Sequence, residues 1–449
     1  MCEPIIKTEY GEVQGVSEHG CIVYKGIPFA KPPVGDLAFR HPVSPEPWDG
    51  VFHADSGSAN PIQDQGGFSV PNNSQDCLYL NIFVPEENGK KEVQKGRPVM
   101  VWIYGGSYNR GGSGAKSAGS ADLIFNMSRF AKDTGTIVVT FNYRLNLYGF
   151  LNLHFLSERF DPNCGLYDQI FALKFVRNNI AAFGGDPENI TLFGQSAGAA
   201  CILALMSMPD AEGLFQKGII QSACVDHFFT EEESRRNTKS YLKRLNIPES
   251  EPEHLLDLSA EIVTAQNKAY SAALRRSGDV RCAFSPVIDG KTLPEPPSKA
   301  VLTRTLPILM GTVLQEGNLF VNPIPAIALP FTSLLMHIKP RKGTGSYRQR
   351  ISDGLSDFVY NIPMKELLAN YPGKAWCYSY QHIRPAHKEN GMGCFHACEI
   401  PVLFGIMNDA DEGSEATGVF MRKIWGTFAH TSDPGFEPYL PDHSIHVIS

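Results

Sequence analysis

Gly194-Gln195-Ser196-Ala197-Gly198 places a serine inside a G-x-S-x-G pattern, entered by the apolar run Ile190-Thr191-Leu192-Phe193 and left by a second, Ala197 to Met208. That setting gives a serine chemistry. On a sharp strand-to-helix bend the hydroxyl is exposed, the glycines let flanking backbones approach, and the helix start faces a reacting carbonyl. Without strand and helix the same five residues are a glycine-rich turn with an incidental serine. A serine hydroxyl is a poor nucleophile near neutral pH, so it needs a base, and the base needs an orienting acid. After such a bend the acid and then the histidine are expected downstream, each beyond a sheet strand. Glu316 stands out among later acids because it closes Gly311-Thr312-Val313-Leu314-Gln315-Glu316-Gly317, just after the apolar run Pro307 to Met310. His337, His382, His387 and His396, among other histidines, are available as the base. His396 lies in a Gly/Cys-rich stretch before Ile400 to Phe404, which fits a loop-borne base better than a helix-face histidine.

These residues need a scaffold. Val99 to Tyr104, Thr136 to Asn142, Ile190 to Phe193, Gly218 to Gln221 and Pro307 to Met310 are short and almost continuously apolar. Continuous apolarity, rather than alternation, predicts strands covered on both faces. Helical patterns lie between them at Gln169 to Asn179, Ala197 to Met208 and Glu231 to Leu245, the last opened by a capping box of Thr230 and Glu233. Strands alternating with helices predict an α/β layer architecture with a mostly parallel sheet. Ile5 to Pro28 reads as small antiparallel strands. No repeat or Gly/Ser linker divides the chain, so one domain over residues 1–449 is expected.

Composition removes several function classes. With 43% hydrophobic and 19% charged residues the chain is globular rather than disordered. A net charge of −7 provides no basic footprint, which argues against nucleic acid or an anionic membrane surface as a partner. No stretch approaches the run of about 20 apolar residues that spans a bilayer. Met1-Cys2-Glu3-Pro4 opens without a basic n-region or an apolar h-region. Ten scattered cysteines then read as free thiols in a reducing, cytoplasmic setting. Cys394-Phe395-His396-Ala397-Cys398 has ligand residue types, but no second pair stands at zinc spacing, so neither metal nor cofactor is expected. Ser222 follows a strand with no base assigned to it and reads as a supporting serine near the pocket rather than a second nucleophile.

At this point the chain resembles the type B carboxylesterase and cholinesterase family. The string Phe183 to Gly198 looks like that family's serine signature across its full width, and Asp76-Cys77-Leu78-Tyr79-Leu80-Asn81 is similar to its second signature. Gly311 to Gly317 resembles the segment of the triad glutamate, and Gly393 to Pro401 that of the triad histidine. The likeness runs from about residue 4 to Phe428-Ala429-His430-Thr431. It implies an α/β-hydrolase fold with lid and gorge insertions, and a triad of Ser196, His396 and Glu316. By the same match it implies an oxyanion hole of the Gly106, Ser107 and Ala197 N–H groups. In Tyr104-Gly105-Gly106-Ser107-Tyr108 the family's third glycine is Ser107, which adds a Cβ beside the reacting oxygen.

Other departures bear on compartment and substrate. The upstream cysteine that secreted relatives pair with the position of Cys77 is absent, and a family ion pair is replaced by Ala38 and Gln75. A second family pair is intact as Arg144 and Asp168, with a structural role expected. Gly66-Gly67-Phe68 stands where cholinesterases hold choline with a tryptophan, so choline specialisation is not expected. The stretch from Glu316 to His396 is short for the family, which predicts a more open or differently roofed pocket. The expected activity is hydrolysis of a small or medium neutral ester through an acyl-enzyme. An acyltransferase or lactone-forming enzyme would use the same triad. A non-catalytic binding protein typically loses a triad member and carries an export signal with an anchor; here Ser196, Glu316 and His396 all stand.

Overall fold

The apolar runs form the middle of one ten-stranded sheet. In chain order its strands are β1 (Val16–Glu18), β2 (Cys21–Pro28), β3 (Tyr79–Pro85), β4 (Arg97–Ile103) and β5 (Ile137–Phe141). They continue with β6 (Gly185–Gln195), β7 (Lys217–Gln221), β8 (Ile308–Val313), β9 (Ala375–Tyr380) and β10 (Ile445–Ile448). The computed structural model describes residues 5–64, 72–86, 96–114, 125–276, 279, 281–407, 411–440 and 444–449. The region of Gly66-Gly67-Phe68 lies outside them.

Across the sheet the order is β10-β9-β8-β7-β6-β4-β5-β3-β2-β1. Every neighbouring pair from β10 to β5 is parallel, and β3, β2 and β1 continue the sheet antiparallel. The central strands β4, β5, β7 and β8 are buried along their length, as their unbroken apolarity predicted. The antiparallel start expected for Ile5 to Pro28 is present: Ile5–Lys7 pairs with Glu12–Gln14, and β1 with β2.

Helices α1 (Cys164–Asn179), α2 (Ala197–Ser207) and α3 (Glu231–Leu245) match the three helical patterns. Thr230 Oγ1 accepts from the Glu233 N–H while the Glu233 carboxylate takes the Thr230 N–H, so the capping box of α3 forms. Every residue of α2 is buried, consistent with a helix apolar all round. Downstream come α4 (Leu329–Leu335), α5 (Tyr347–Ser356), α6 (Ile362–Asn370) and α7 (Glu412–Thr431). Helix α7 docks on the sheet through buried Trp425, whose indole N–H donates to Gln221 Oε1 at 3.2 Å.

One apolar cluster extends from Ile6 to Ile448. A second, of Val321, Leu329, Ile338, Ile351, Leu355, Val359 and Tyr360, lies wholly between β8 and β9 and forms a roof. Among the described residues no helix is long and apolar enough to cross a membrane.

Candidate active site

The chemistry-bearing residues sit beyond the carboxyl ends of the parallel strands, where open α/β sheets present their ligands. Ser196 follows β6 directly, with φ 57° and ψ −123°, a strained conformation at a tight bend. Its N–H donates to the Gln221 carbonyl on β7 at 2.9 Å, which pins the bend to the neighbouring strand. A Cβ on Gly194 would stand 2.8 Å from the Ile103 carbonyl oxygen, and one on Gly198 only 2.1 Å from that same atom. The flanking glycines are therefore required by close approach to β4.

Glu316 and His396 meet. His396 Nδ1 lies 2.5 Å from Glu316 Oε2, and the Val313 N–H holds the other carboxylate oxygen at 2.9 Å. Both side chains are buried. Their loops are clamped together: the Gln315 N–H donates to the Cys394 carbonyl and the Cys394 N–H donates to Gln315 Oε1, both at 2.9 Å. Asn318 Nδ2 adds a bond to the Met392 carbonyl at 2.8 Å. The rings of Tyr360 and Phe320, at 5.0 and 5.5 Å, cover the imidazole from the roof. Of the four candidate histidines, His396 alone contacts Glu316 among the described residues.

With Nδ1–H given to Glu316, Nε2 carries the lone pair. Gln195 Nε2 lies 3.1 Å from it and donates. Among the described residues Ser196 Oγ makes no hydrogen bond, so in this state the amide of Gln195, not the serine, engages the base. Catalytic contacts are commonly loose without substrate.

Beyond β4 the chain turns through Gly106 (φ 117°), Ser107 (φ 57°) and Tyr108 (φ 57°). Two consecutive side-chain-bearing residues in the left-handed region cost about 1–2 kcal/mol each. The Gly106 and Ser107 N–H groups donate to no acceptor among the described residues. That of Ala197 opens α2 and has no intrahelical acceptor. A Cβ on Gly105, the residue before this turn, would stand 3.1 Å from Ser196 Cβ. The Ser107 hydroxyl lies against the Cys282 thiol, which burial pushes up to about 11.

Ser107, Ser196 and Ala197 line a cavity of about 480 Å³. Its roof side is apolar, with Phe320, Ile324, Met336, Leu355, Val359 and Tyr360. Cys224, Cys282, His227, Arg275 and Arg281 form the other wall. Burial, then the Arg281 guanidinium, lowers His227 to about 4, so it is neutral near pH 7. Arg281 is paired with Asp279 and Glu233.

Residues singled out as supporting ones have plain structural places. Arg144 and Asp168 form a buried bidentate pair at 2.7 and 2.8 Å. Ala38 and Gln75 both line one separate cavity. Ser222 is buried below the pocket and is not part of its lining. Cys394 and Cys398 lie 3.8 Å apart, and Cys394 donates to the Tyr380 carbonyl. Sequence reasoning missed Gln195 as a partner of the base. It also missed Glu399, which is fully buried with Oε1 3.4 Å from Gln221 Nε2 and Oε2 without a partner among the described residues. A charged residue inside an otherwise apolar stretch after His396 was the available signal.

Comparison with known proteins places these features in a wider set. The model of the Carboxylesterase family matches residues 2–329. The chain is 35% identical to the para-nitrobenzyl esterase of Bacillus subtilis (strain 168), over 97% of this chain and 92% of that protein. It is 30% identical to carboxylesterase 4A of Bos taurus, over 98% and 90% respectively. Among solved structures, a thermophilic PNB esterase superposes with a TM-score of 0.84 at 32% identity, covering 97% of this chain and 92% of its own.

Proposed function

The chain belongs to the carboxylesterase family, has the α/β-hydrolase fold and is a serine carboxylic-ester hydrolase; from this premise we propose that Ser196, His396 and Glu316 are its triad and Gly106, Ser107 and Ala197 its oxyanion hole. An ester carbonyl enters the cavity, and Ser196 Oγ–H replaces the Gln195 amide on His396 Nε2. The oxygen attacks the carbonyl carbon as the proton passes to the imidazole, and Glu316 stabilises the imidazolium in a fixed tautomer. The three N–H groups receive the developing oxyanion, where one donor is commonly worth about 3 kcal/mol. His396 returns the proton to the leaving alcohol, and water then cleaves the acyl-enzyme by the same route.

The observation that carries this reading is the 2.5 Å contact of His396 with Glu316, on loops clamped beside Ser196 and its cavity. An apolar roof over a cavity of about 480 Å³ supports a small or medium neutral ester as substrate. A core continuous from Ile6 to Ile448 supports residues 1–449 as one domain. Nine free cysteines among the described residues support a reducing, cytoplasmic setting.

Ser196→Ala is expected to abolish turnover of a short-chain nitrophenyl ester while leaving the circular dichroism spectrum and melting temperature unchanged. An organophosphonate probe should label wild type on the peptide holding Ser196 and leave the variant unlabelled. Residual turnover in the variant, or a label on another peptide, would reject the nucleophile.

A further inference from the structure

The roof carries a surface that ester hydrolysis alone does not require. Ile327, Phe331 and Leu334 are 93, 70 and 74% exposed. Their spacing of four and then three residues sets them in one line along the turn before α4 and α4 itself. Single exposed apolar residues are ordinary, but a contiguous stripe of three large ones marks an interaction site. The other side of the same helix is engaged. Leu329 and Ser333 are buried, while Thr332 and Met336 line the active-site cavity together with Phe320 and Ile324. The stripe is thus the outer face of the wall that encloses the substrate.

Charge selects the occupant. Between Glu316 and Asp353 the chain has no Asp or Glu, but it has Lys339, Arg341, Lys342, Arg348 and Arg350. Arg348 is structural, donating to the carbonyls of Val321, Asn322 and Ile324 at 2.6, 3.0 and 2.7 Å. Arg341 stands 3.5 Å from Asp357. Lys339 and Lys342 project into water just after the stripe. The chain's net charge of −7 averages over this segment, whose own sign is opposite. Large apolar side chains flanked by lysines form the pattern of a monotopic segment lying in the headgroup boundary of an anionic bilayer. A second copy fits poorly. A two-fold interface opposes identical surfaces, so these cations would face each other across it.

We propose that the roof of this esterase docks on an anionic lipid surface through Ile327, Phe331 and Leu334, with Lys339 and Lys342 on the headgroups. The cavity then faces the phase in which apolar esters dissolve. The proposal goes beyond the triad assignment and is tested separately from it. Full-length protein is sedimented with vesicles of phosphatidylcholine alone and of phosphatidylcholine mixed with phosphatidylglycerol. Wild type should pellet with the mixed vesicles, less with the neutral ones, and less at high salt. Phe331→Ser combined with Leu334→Ser should weaken vesicle binding by about tenfold or more while keeping turnover of a soluble short-chain ester. Lys339→Glu with Lys342→Glu should remove the preference for the anionic lipid. Ser196→Ala should bind as wild type does. Wild type remaining in the supernatant with both vesicles, or a serine double variant that binds equally well, would overturn the proposal. So would a concentration-dependent dimer abolished by that double variant, which would assign the stripe to a second copy.

Discussion

Gln195 stands where the base is tuned. Its amide nitrogen lies 3.1 Å from His396 Nε2, the atom that must accept the serine proton. A neutral amide there competes with Ser196 for the lone pair but adds no charge. It can also turn its carbonyl oxygen toward Nε2–H once the imidazole is protonated, because O and N exchange by rotation of the amide. A carboxylate would behave differently. Gln195→Glu puts a negative charge beside the imidazole, which favours the protonated ring over the free base. Since only the neutral ring is a base, the acid limb of kcat/KM should move to higher pH, by about one unit or more. Activity at alkaline pH should change much less. A pH–rate profile from pH 5 to 9 measures this. A limb that stays in place, or moves down, removes Gln195 from contact with the base in solution. The strain at Ser107 belongs to this scale too: a serine is held in the left-handed region, and its hydroxyl rests on Cys282.

The β6–Ser196–α2 bend depends on a backbone clearance that no other residue type provides. A Cβ on Gly198 would stand 2.1 Å from the Ile103 oxygen and 2.7 Å from the Tyr104 oxygen, both backbone atoms of the chain leaving β4. Gly198→Ala must therefore part α2 from β4, at about 1–3 kcal/mol or more. That movement also shifts Ser196 against its donors, and a displacement near 1 Å can cost about 10²-fold in rate. The expected variant has a lower urea midpoint together with a kcat reduced by that order. Wild-type kcat at lowered stability would show that the bend tolerates the displacement. At this scale the sequence was legible where burial is complete. The strands β4, β5, β7 and β8 were predicted within one to three residues because both their faces are covered. The strands β3 and β9 were not predicted, because polar residues interrupt their runs. In β3 the interruption is Asn81, which is buried and fully engaged. Its Oδ1 takes the Gly26 N–H, and its Nδ2 donates to Ser113 O and Thr140 Oγ1. Those partners lie far along the chain, so no local pattern announces them. Edge strand β10 is four residues long with mostly open faces. The bend that holds Ser196 was legible because it is local. The pairing of His396 with Glu316 needed the family likeness to single it out among the downstream histidines, since the Gln315–Cys394 clamp that unites the two loops joins residues 79 apart.

The whole molecule must also accommodate a buried carboxyl outside the proposed triad. Glu399 is fully buried beside Gln221, and burial first, then the Glu316 charge, push it up to about 7. An unfolded chain leaves a glutamate near its ordinary value of about 4.3. The sign follows from counting protons. Below about pH 4 both states hold the proton and the group has no differential effect. Between about 4.3 and 7 the folded state keeps a proton that the unfolded state has released, so stability falls as pH rises through that window. Above about 7 both are ionised and the full penalty remains, about 4 kcal/mol at 1.4 kcal/mol per unit. Glu399→Gln retains the shape and the hydrogen-bonding atoms but cannot ionise. The variant's stability relative to wild type should therefore grow between pH 5 and pH 8, because other titrating groups are common to both proteins and cancel in the difference. Urea midpoints of the two proteins at those pH values decide it. A difference that is the same at both would mean that Glu399 ionises in the folded state as readily as in water.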